Sequence, residues 1–336
     1  MTVHFVCEGN TYRSRLAEAY LKSLKIPGVI VISSGTHADS NLNGPISAYT
    51  KILIEKYGLS SYGKQHWDQL TQDRINQSDI VICLNRQIYH DCREAFKLPL
   101  RTFIWDIPDI KVLLPSYITL INQNKAPDIA ETTLHRIRQR VDELVVLIRK
   151  PRSEELLDVL SHEGSSIHKT ADVDEIHLKG LWHNGVHIGL FTKDGRVAIE
   201  KRSQTIIQNP GLWDFTLGGL VSSGEPPEHA IIRETYEEIG VKIKTEELQK
   251  LFVFRYNHYL SQYGLHNKVF VHTYIALIDG SAKFKFQKSE VDDARLIPVN
   301  EVKKMIEGIK TNELGELTPT RSFYHQILRA IQEKIN

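Results

Sequence analysis

Cysteine and methionine are scarce in this sequence, and neither sign of charge is in excess. The 336 residues include three cysteines and two methionines, and 42 Lys and Arg balance 41 Asp and Glu to a formal net charge of +1. Three cysteines in a chain of this length cannot form a disulfide framework, which favours a reducing, cytoplasmic location. The balanced charge gives no electrostatic basis for binding nucleic acid or an anionic membrane surface.

Long hydrophobic runs are also missing. No stretch approaches the roughly 18 apolar residues of a membrane-spanning helix, and the N-terminal residues lack the basic and apolar regions of a signal peptide. Apolar residues make up 41% and charged residues 25%, which are globular values and exclude a disordered or fibrous chain. We therefore expect a soluble protein without membrane or nucleic-acid partners, and the length favours two domains.

The first part of the chain alternates short apolar runs with amphipathic segments. Strands are predicted at 3–6, 29–32, 80–84 and 102–105, and helices at 14–24, 46–57, 87–96 and 134–148. This alternation is typical of βαβ units and predicts an α/β domain with a parallel sheet. The last of these helices is broken at Lys150 and Pro151, so we predict one domain over residues 1–150 and another over 151–336.

The second part of the chain has a mixed pattern. A hairpin is predicted from strands at 187–191 and 196–200, which flank a Lys-Asp-Gly turn. Further strands are predicted at 251–256 and 269–278, and helices at 227–239, 299–308 and 320–335. Because the strands come in hairpins and the helices come separately, an α+β fold is favoured over a doubly wound sheet.

A loop of five residues separates Cys7, at the end of the first strand, from Arg13, at the start of the first helix. Such a loop can wrap one tetrahedral oxyanion, because its backbone N–H groups and the helix N-terminus supply positive potential. The same field favours the Cys7 thiolate as a nucleophile, and Arg13 can bind two phosphate oxygens at once. The arrangement predicts a phosphate-binding loop.

The string C-x-G-N-T-x-R-S-x-x-A-E, which begins at Cys7, resembles the low-molecular-weight protein tyrosine phosphatases. The resemblance runs through residues 1–150. It implies that Cys7 is a nucleophile that forms a phosphocysteine and that Arg13 binds the phosphoryl oxygens. It also implies a set of loop residues that shape the pocket and bind substrate: Gly9, Asn10, Thr11 and Ser14.

The general acid of that family is the Asp of an Asp-Pro pair in a late loop. Asp109 lies at the matching place but is not followed by proline, so Asp106 is an alternative. Two other interpretations stay open for this domain. It is either a non-catalytic anion-binding module, or it resembles the arsenate reductases, which pass a disulfide through two further cysteines that would here be Cys83 and Cys92.

Three carboxylates, Glu234, Glu237 and Glu238, are spaced i, i+3 and i+4 on the helix predicted at 227–239, so they project from one face. Three neighbouring acids repel one another unless a cation lies between them, and carboxylate oxygens select Mg²⁺ or Mn²⁺. Arg233 can hold one carboxylate in place, and Glu225 in the preceding loop can join or orient the site. A diphosphate bound to such a metal would be neutralised and a water activated beside it.

Residues 219–241 satisfy G-x5-E-x7-R-E-x-x-E-E-x-G-x, the sequence motif of the Nudix family, whose fold is an α/β/α sandwich. The resemblance implies that Glu234, Glu237 and Glu238 are metal ligands, with Glu237 and Glu238 as catalytic candidates. The Gly219 carbonyl and Glu290, outside the motif, are implied as further ligands. Which glutamate acts as the base stays open.

The stretches at 177–183 and 211–214 resemble the Nudix branch related to isopentenyl diphosphate isomerase. Those isomerases need a cysteine in the following strand, and this chain has none beyond Cys92. A hydrolase is therefore favoured. The two motifs together predict a bifunctional phosphohydrolase. Its Nudix half cleaves a small-molecule diphosphate of the nucleoside-diphosphate-X type, and its phosphatase half removes phosphate from a small monoester or a phosphoprotein, either in sequence or independently.

Overall fold

The computed structural model describes residues 1–40, 44–109, 126–149, 153–204, 206, 209–309, 316–318 and 322–335. The chain forms two compact units, one of Met1–Pro151 with Tyr259–Leu265 and one of Arg152–His258 with His266–Asn336. The first carries a parallel sheet and the second a mixed sheet with helices, which confirms the predicted fold class. Among the helices within the described ranges, none combines the length and apolar character that a bilayer crossing requires.

The first unit is built on a four-stranded sheet in the order β2-β1-β3-β4, with every pair parallel. Its elements are β1 (Thr2–Cys7), α1 (Arg13–Ser23), β2 (Ile30–Gly35), α2 (Ala48–Lys56), α3 (Gln72–Asn76), β3 (Ile80–Cys83), α4 (Arg86–Ala95), β4 (Thr102–Ile104) and α5 (Ala126–Arg149). The strands are short and almost wholly buried, as expected of a parallel sheet that helices cover on both faces.

Side-chain alternation along these strands produces two hydrophobic cores. Phe5 and Ile82 face a core that includes α1, α2 and α5, whereas Val6 and Val81 face a smaller core with α3 and α4. The carboxyl ends of all four strands meet at one edge of the sheet. Cys7, the last residue of β1, therefore lies beside its register partner Gly35, the last residue of β2.

The second unit has the sheet order β10-β11-β7-β5-β6, and β8 pairs with β7, β9 and β12. Its elements are β5 (Leu156–Leu160), β6 (Ser166–Asp172), α6 (Val173–Lys179), β7 (Trp182–Phe191), β8 (Arg196–Arg202), β9 (Trp213–Asp214), α7 (Pro227–Ile239), β10 (Leu248–Leu260), β11 (Leu265–Leu277), β12 (Val291–Pro298), α8 (Val299–Ile306) and α9 (Ser322–Ile335). The pair β7–β11 is parallel, and the pairs of β8 are antiparallel.

Both faces of this second sheet carry helices, in agreement with the predicted layering. On β8, Ala198 belongs to the core that contains residues of α7, whereas Val197 and Ile199 belong to the core that contains α8 and α9. Helix α7 begins with Pro227 and ends at Gly240, whose φ of +73° is the left-handed conformation that glycine adopts without strain. The helix with the three clustered carboxylates is thereby fixed in length and packed against one face of the sheet.

Candidate active sites

The loop between β1 and α1 brings two polar groups to the Cys7 sulfur. The Ser14 hydroxyl lies 3.0 Å from Cys7 Sγ, and the backbone N–H of Asn10 donates to the same sulfur at 3.2 Å. Both groups are able to donate to a thiolate at this position. Ser14 and Asn10 were predicted to support Cys7, and the structure brings all three together.

Asn10 holds the shape of this loop. Its φ of +49° is left-handed, a conformation that Asn tolerates better than most residues. Its side-chain amide donates to Ser14 Oγ and Ser33 Oγ, both at 2.8 Å, and its carbonyl oxygen accepts from the Asp68 backbone N–H at 2.8 Å. The loop is therefore tied to three other segments before any ligand binds.

Gly35, which was not predicted as a site residue, lies directly beneath the loop. A Cβ at this position would come within 2.5 Å of the Glu8 carbonyl oxygen and 2.8 Å of the Asn10 nitrogen. Because real Cβ atoms do not approach backbone so closely, any larger residue would displace the loop. Gly9 and Thr11 complete the loop, and the Thr11 carbonyl accepts from Thr50 Oγ1 at 2.8 Å.

Arg13 is the first residue of α1 and is 2% exposed. Its Nη2 lies 2.8 Å from Asp109 Oδ2, and its Nη1 donates to the Ile107 carbonyl at 2.8 Å. Asp106 instead lies outside, with its side chain 66% exposed and 3.5 Å from Arg86 Nε. Of the two candidate acids, the structure therefore brings Asp109, and not Asp106, to the arginine of the loop.

Arg15 is a further charged residue of this region that the sequence analysis missed. It is buried, and its Nη1 lies 3.6 Å from Glu18 Oε2. No described residue forms a hydrogen bond with any of its three guanidinium nitrogens. Burial lowers the pKa of Arg15, and the charges of Glu18 and Cys7 oppose this shift. The only sequence feature that pointed to the burial of Arg15 was its position in the first turn of a helix that packs on the sheet.

Cys83 and Cys92 form a pair of buried thiols. Both belong to the core under α3 and α4, whereas Cys7 belongs to the core on the other face of the sheet. The hydrogen bond from Cys92 and burial together raise the pKa of the Cys83 thiol well above its usual value. A thiol kept protonated in this way is a weak nucleophile.

In the second unit, Arg233 binds three of the acids that the sequence analysis placed together. Its Nε and Nη2 donate to the two carboxylate oxygens of Glu225 at 3.1 and 2.9 Å. Its Nη1 donates to Glu234 Oε1 at 2.9 Å and to Glu237 Oε2 at 3.3 Å. The hydrogen bonds from Arg233 lower the pKa of Glu225. Arg233 was expected to hold one carboxylate and contacts three.

Glu234 is buried where α7 packs on the loop that contains Gly219. Burial raises the pKa of Glu234 to about 7, and Arg233 opposes the shift. A Cβ on Gly219 would lie 2.2 Å from the Glu234 carboxyl carbon, so a larger residue there would push the Glu234 carboxylate out of its position. The Gly219 carbonyl accepts from the Val186 N–H at 3.0 Å, which leaves one lone pair for another partner.

Glu238 is buried deeper, and burial followed by the charge of Glu200 raises its pKa well above the usual value. Glu290, from the turn before β12, is exposed, and its charge acts on Glu200, Glu234 and Glu238. The predicted members Glu238 and Glu290 therefore lie in one acidic region. Glu200 of β8 belongs to it as well and was missed, because no motif marks a single glutamate in a strand.

The chemistry of these residues fits a hard divalent cation. Over the ranges that the structure covers, no three His, Cys, Asp or Glu side chains are gathered closely enough to coordinate an ion, and Arg233 donates to both Glu234 and Glu237. Glu238 Oε2, however, is buried and has no hydrogen-bond partner among the described residues. An unpaired buried carboxylate oxygen beside other carboxylates is the donor set that Mg²⁺ or Mn²⁺ would satisfy.

Comparison with known families assigns both units. Residues 2–109 match the family model of the low molecular weight phosphotyrosine protein phosphatases, and residues 181–314 match the NUDIX domain. The chain thus contains a domain of each family, and both are hydrolase families.

Individual relatives match parts of the chain. Nudix hydrolase 3 of Arabidopsis thaliana is 28% identical over 158 residues, which are 46% of this chain but only 20% of that protein. The isopentenyl-diphosphate Delta-isomerase of Streptomyces avermitilis is 26% identical over 147 residues, 44% of this chain and 73% of the isomerase. The low molecular weight protein tyrosine phosphatase of Streptococcus pyogenes is 20% identical, with 44% of this chain and 93% of that structure covered at a TM-score of 0.36.

Proposed function

We propose that the chain is a bifunctional phosphohydrolase with a cysteine-dependent phosphomonoesterase site and a metal-dependent diphosphatase site. The observation that carries the proposal is the assembly of Cys7, Ser14, Arg13 and Asp109 around one loop. The Nudix domain would cleave a diphosphate of the nucleoside-diphosphate-X type. One of its monoester products would then be the substrate of the phosphatase domain.

The monoesterase reaction follows from the positions of four side chains. The Cys7 thiolate attacks phosphorus while the P–O bond to the leaving group breaks, and Asp109 gives its proton to the departing oxygen. Water then attacks the phosphocysteine, Asp109 takes a proton from that water, and the S–P bond breaks to release phosphate. Arg13 binds the phosphoryl oxygens throughout, and the Ser14 hydroxyl stabilises the thiolate when it leaves.

The ion pair between Arg13 and Asp109 holds the Asp109 carboxylate beside the loop. A phosphate in the loop would take over Arg13, because a dianion with three oxygens competes well with one carboxylate for a guanidinium. The Asp109 carboxylate would then be released next to the substrate, where it would take a proton from solvent and pass it to the leaving oxygen. By this exchange, Asp109 would serve as the acid of this site without a following proline.

In the diphosphatase site, Glu234, Glu237, Glu238 and Glu290 would hold Mg²⁺ or Mn²⁺, with the Gly219 carbonyl as a further ligand. When bound, the cation supplies charge neutralisation for the diphosphate and an activated water. Arg233, anchored on Glu225, orients the carboxylates of α7. Glu237 is exposed and Glu238 is buried. Replacement of each by Gln identifies which of the two acts as the base.

A phosphorus NMR time course tests both activities on many candidate substrates at once. The probe is a pool of nucleotide-sugar and dinucleotide diphosphates with Mg²⁺, in which diphosphate, monoester and free phosphate signals are resolved. We expect diphosphate to pass through monoester to free phosphate. Cys7→Ser should stop the reaction at the monoester, Glu237→Gln should stop it at the diphosphate, and EDTA should act as Glu237→Gln does.

Each variant is the control of the other, because each should lose one activity and keep the second. A generic aryl phosphate measures the monoesterase activity directly. If Cys7→Ser hydrolyses the aryl phosphate at the parental rate, the phosphocysteine mechanism is wrong. If the monoester accumulates in the parental enzyme, the two sites do not act in sequence. A diphosphate that is stable in every sample would contradict the diphosphatase assignment.

A further inference from the structure

Glu200 is a buried acid in the middle of a sheet. It lies on β8, where its backbone pairs with Asp214 of β9 and Ala294 of β12, and it is 2% exposed. Its Oε1 is 3.8 Å from Arg202 Nη1, and its Oε2 has no hydrogen-bond partner in the part of the chain that the structure describes. A buried carboxylate oxygen without a partner costs free energy, so something outside these residues is expected to satisfy it.

The direction of Glu200 follows from the alternation of side chains along β8. Ala198, two residues earlier, belongs to the core under α7, whereas Ile199 belongs to the core under α8 and α9. Residues two apart in a strand share a face. Glu200 is therefore on the face of the sheet that α7 covers, and α7 contains the buried Glu238.

Arg202 Nη1 lies 3.8 Å from Glu200 Oε1 and offsets only part of the repulsion between Glu200 and Glu238. Each has an Oε2 atom that is buried and unpaired within the described ranges, and Glu290 adds a third negative charge nearby. The guanidinium of Arg233 contacts other acids of the site. Two unpaired carboxylate oxygens from two different elements, both on one face, are the arrangement that a divalent cation would bridge.

We propose that Glu200 is an additional carboxylate ligand of the divalent-cation site and binds the ion together with Glu238. The proposal rests on the proposed function, which places a cation at the carboxylates of α7. It adds a ligand from the sheet to ligands from the helix, so the ion would join β8 to α7. Neither the Nudix motif nor the family matches mark this position.

Binding of Mn²⁺ measured by electron paramagnetic resonance of the free ion tests the proposal without relying on activity. Loss of an outer-shell partner alone typically weakens metal binding about 10- to 100-fold, so we expect Glu200→Gln to raise the Kd for Mn²⁺ at least about tenfold. Glu246→Gln, which removes the same charge from an exposed position of the same unit, should leave the Kd within about twofold. Glu238→Gln tests the underlying cation site.

Thermal unfolding in EDTA checks the fold, and we expect no loss of Tm for Glu200→Gln because the substitution removes a buried charge and keeps the shape. Should that variant fail to fold, Glu200→Asp replaces it, since it keeps the charge but withdraws the carboxylate by one methylene.

The outcomes are distinct. If the folded Glu200 variant binds Mn²⁺ like the parent while Glu238→Gln does not, the cation site exists and Glu200 is not a ligand. If neither substitution changes Mn²⁺ binding, the cation site of the proposed function is itself wrong. Weakened binding in both variants, with Glu246→Gln unchanged, supports Glu200 as a ligand.

Discussion

Replacement of Asp109 by Asn tests the assignment of the proton donor. The Asp109 carboxylate lies 2.8 Å from Arg13 Nη2, beside the group expected to hold the phosphoryl oxygens. Positioned proton donors contribute about 10²- to 10⁴-fold to rate, which corresponds to roughly 3–5 kcal/mol of barrier. We expect Asp109→Asn to lower kcat for an alkyl phosphate by that factor. Loss of the carboxylate also frees Arg13 for substrate, so KM should not rise.

Asp106→Asn is the matched control, because it makes the same substitution three residues earlier. The Asp106 side chain is 66% exposed and 3.5 Å from Arg86, and exposed ion pairs contribute about 0–1 kcal/mol. We therefore expect a rate within about fivefold of the parent.

The assay is the release of phosphate from a series of esters whose leaving groups differ in acidity. Good leaving groups need less help from a proton, so the loss in Asp109→Asn should shrink as the leaving group becomes more acidic. A larger loss in Asp106→Asn, or a loss in Asp109→Asn that is the same for every leaving group, would show that the acid has been misassigned.

Three further perturbations follow from the packing. Gly35→Ala should lower monoester hydrolysis by at least about tenfold and leave diphosphate cleavage intact, because its Cβ would lie 2.5 Å from the Glu8 carbonyl oxygen; equal activity would refute this role of Gly35. Gly219→Ala should lower diphosphate cleavage and leave monoester hydrolysis intact, since its Cβ would lie 2.2 Å from the Glu234 carboxyl carbon. One phosphorus NMR experiment measures both activities. Burial lowers the pKa of His4 from 6.5 to about 3. As the pH falls, His4 therefore binds a proton in the unfolded chain at a higher pH than in the folded chain. The stability that His4 contributes is present in full above pH 6.5 and is lost as the pH falls toward 3, by up to about 1.4 kcal/mol per pH unit. Denaturant unfolding at pH 7 and pH 5 should show this slope for the first unit, and His4→Gln should flatten it; an unchanged slope would contradict the linkage.

The fold could be predicted largely because its helices and buried strands have strong periodicity. The strands at 3–6 and 80–84 and the helix at 227–239 lie within one residue of the observed bounds at each end. Strand β6 was missed because its first five residues are exposed and only Ile167 among them is apolar, so no apolar alternation marks it. Helix α5 begins at Ala126, eight residues before the predicted start, because its first turns carry few apolar residues.

The candidate sites were predictable where the residues are contiguous in sequence. The loop from Cys7 to Arg13 and the carboxylates of α7 each lie within one short segment, so spacing alone shows that their side chains are neighbours. The choice between Asp106 and Asp109 depends on which one a distant loop carries to Arg13. Spacing along the chain does not contain that information.

Glu200 was missed for a related reason. It becomes a neighbour of Glu238 only when β8 is placed under α7, and a single glutamate between hydrophobic and basic residues looks like an ordinary strand position. Charged residues that a strand turns inward are therefore found from the sheet register rather than from a motif.

The hydrogen bonds from Arg233 to three glutamates have a consequence for metal exchange. A site that supplies its own positive charge can lose its ion and keep its ligands in place, so removal of the metal should not unfold the helix. An arriving cation must compete with that guanidinium for Glu234 and Glu237, which weakens binding. We therefore expect occupancy to follow the free Mg²⁺ concentration, so that the proposed diphosphate cleavage varies with metal supply while the proposed monoesterase activity does not.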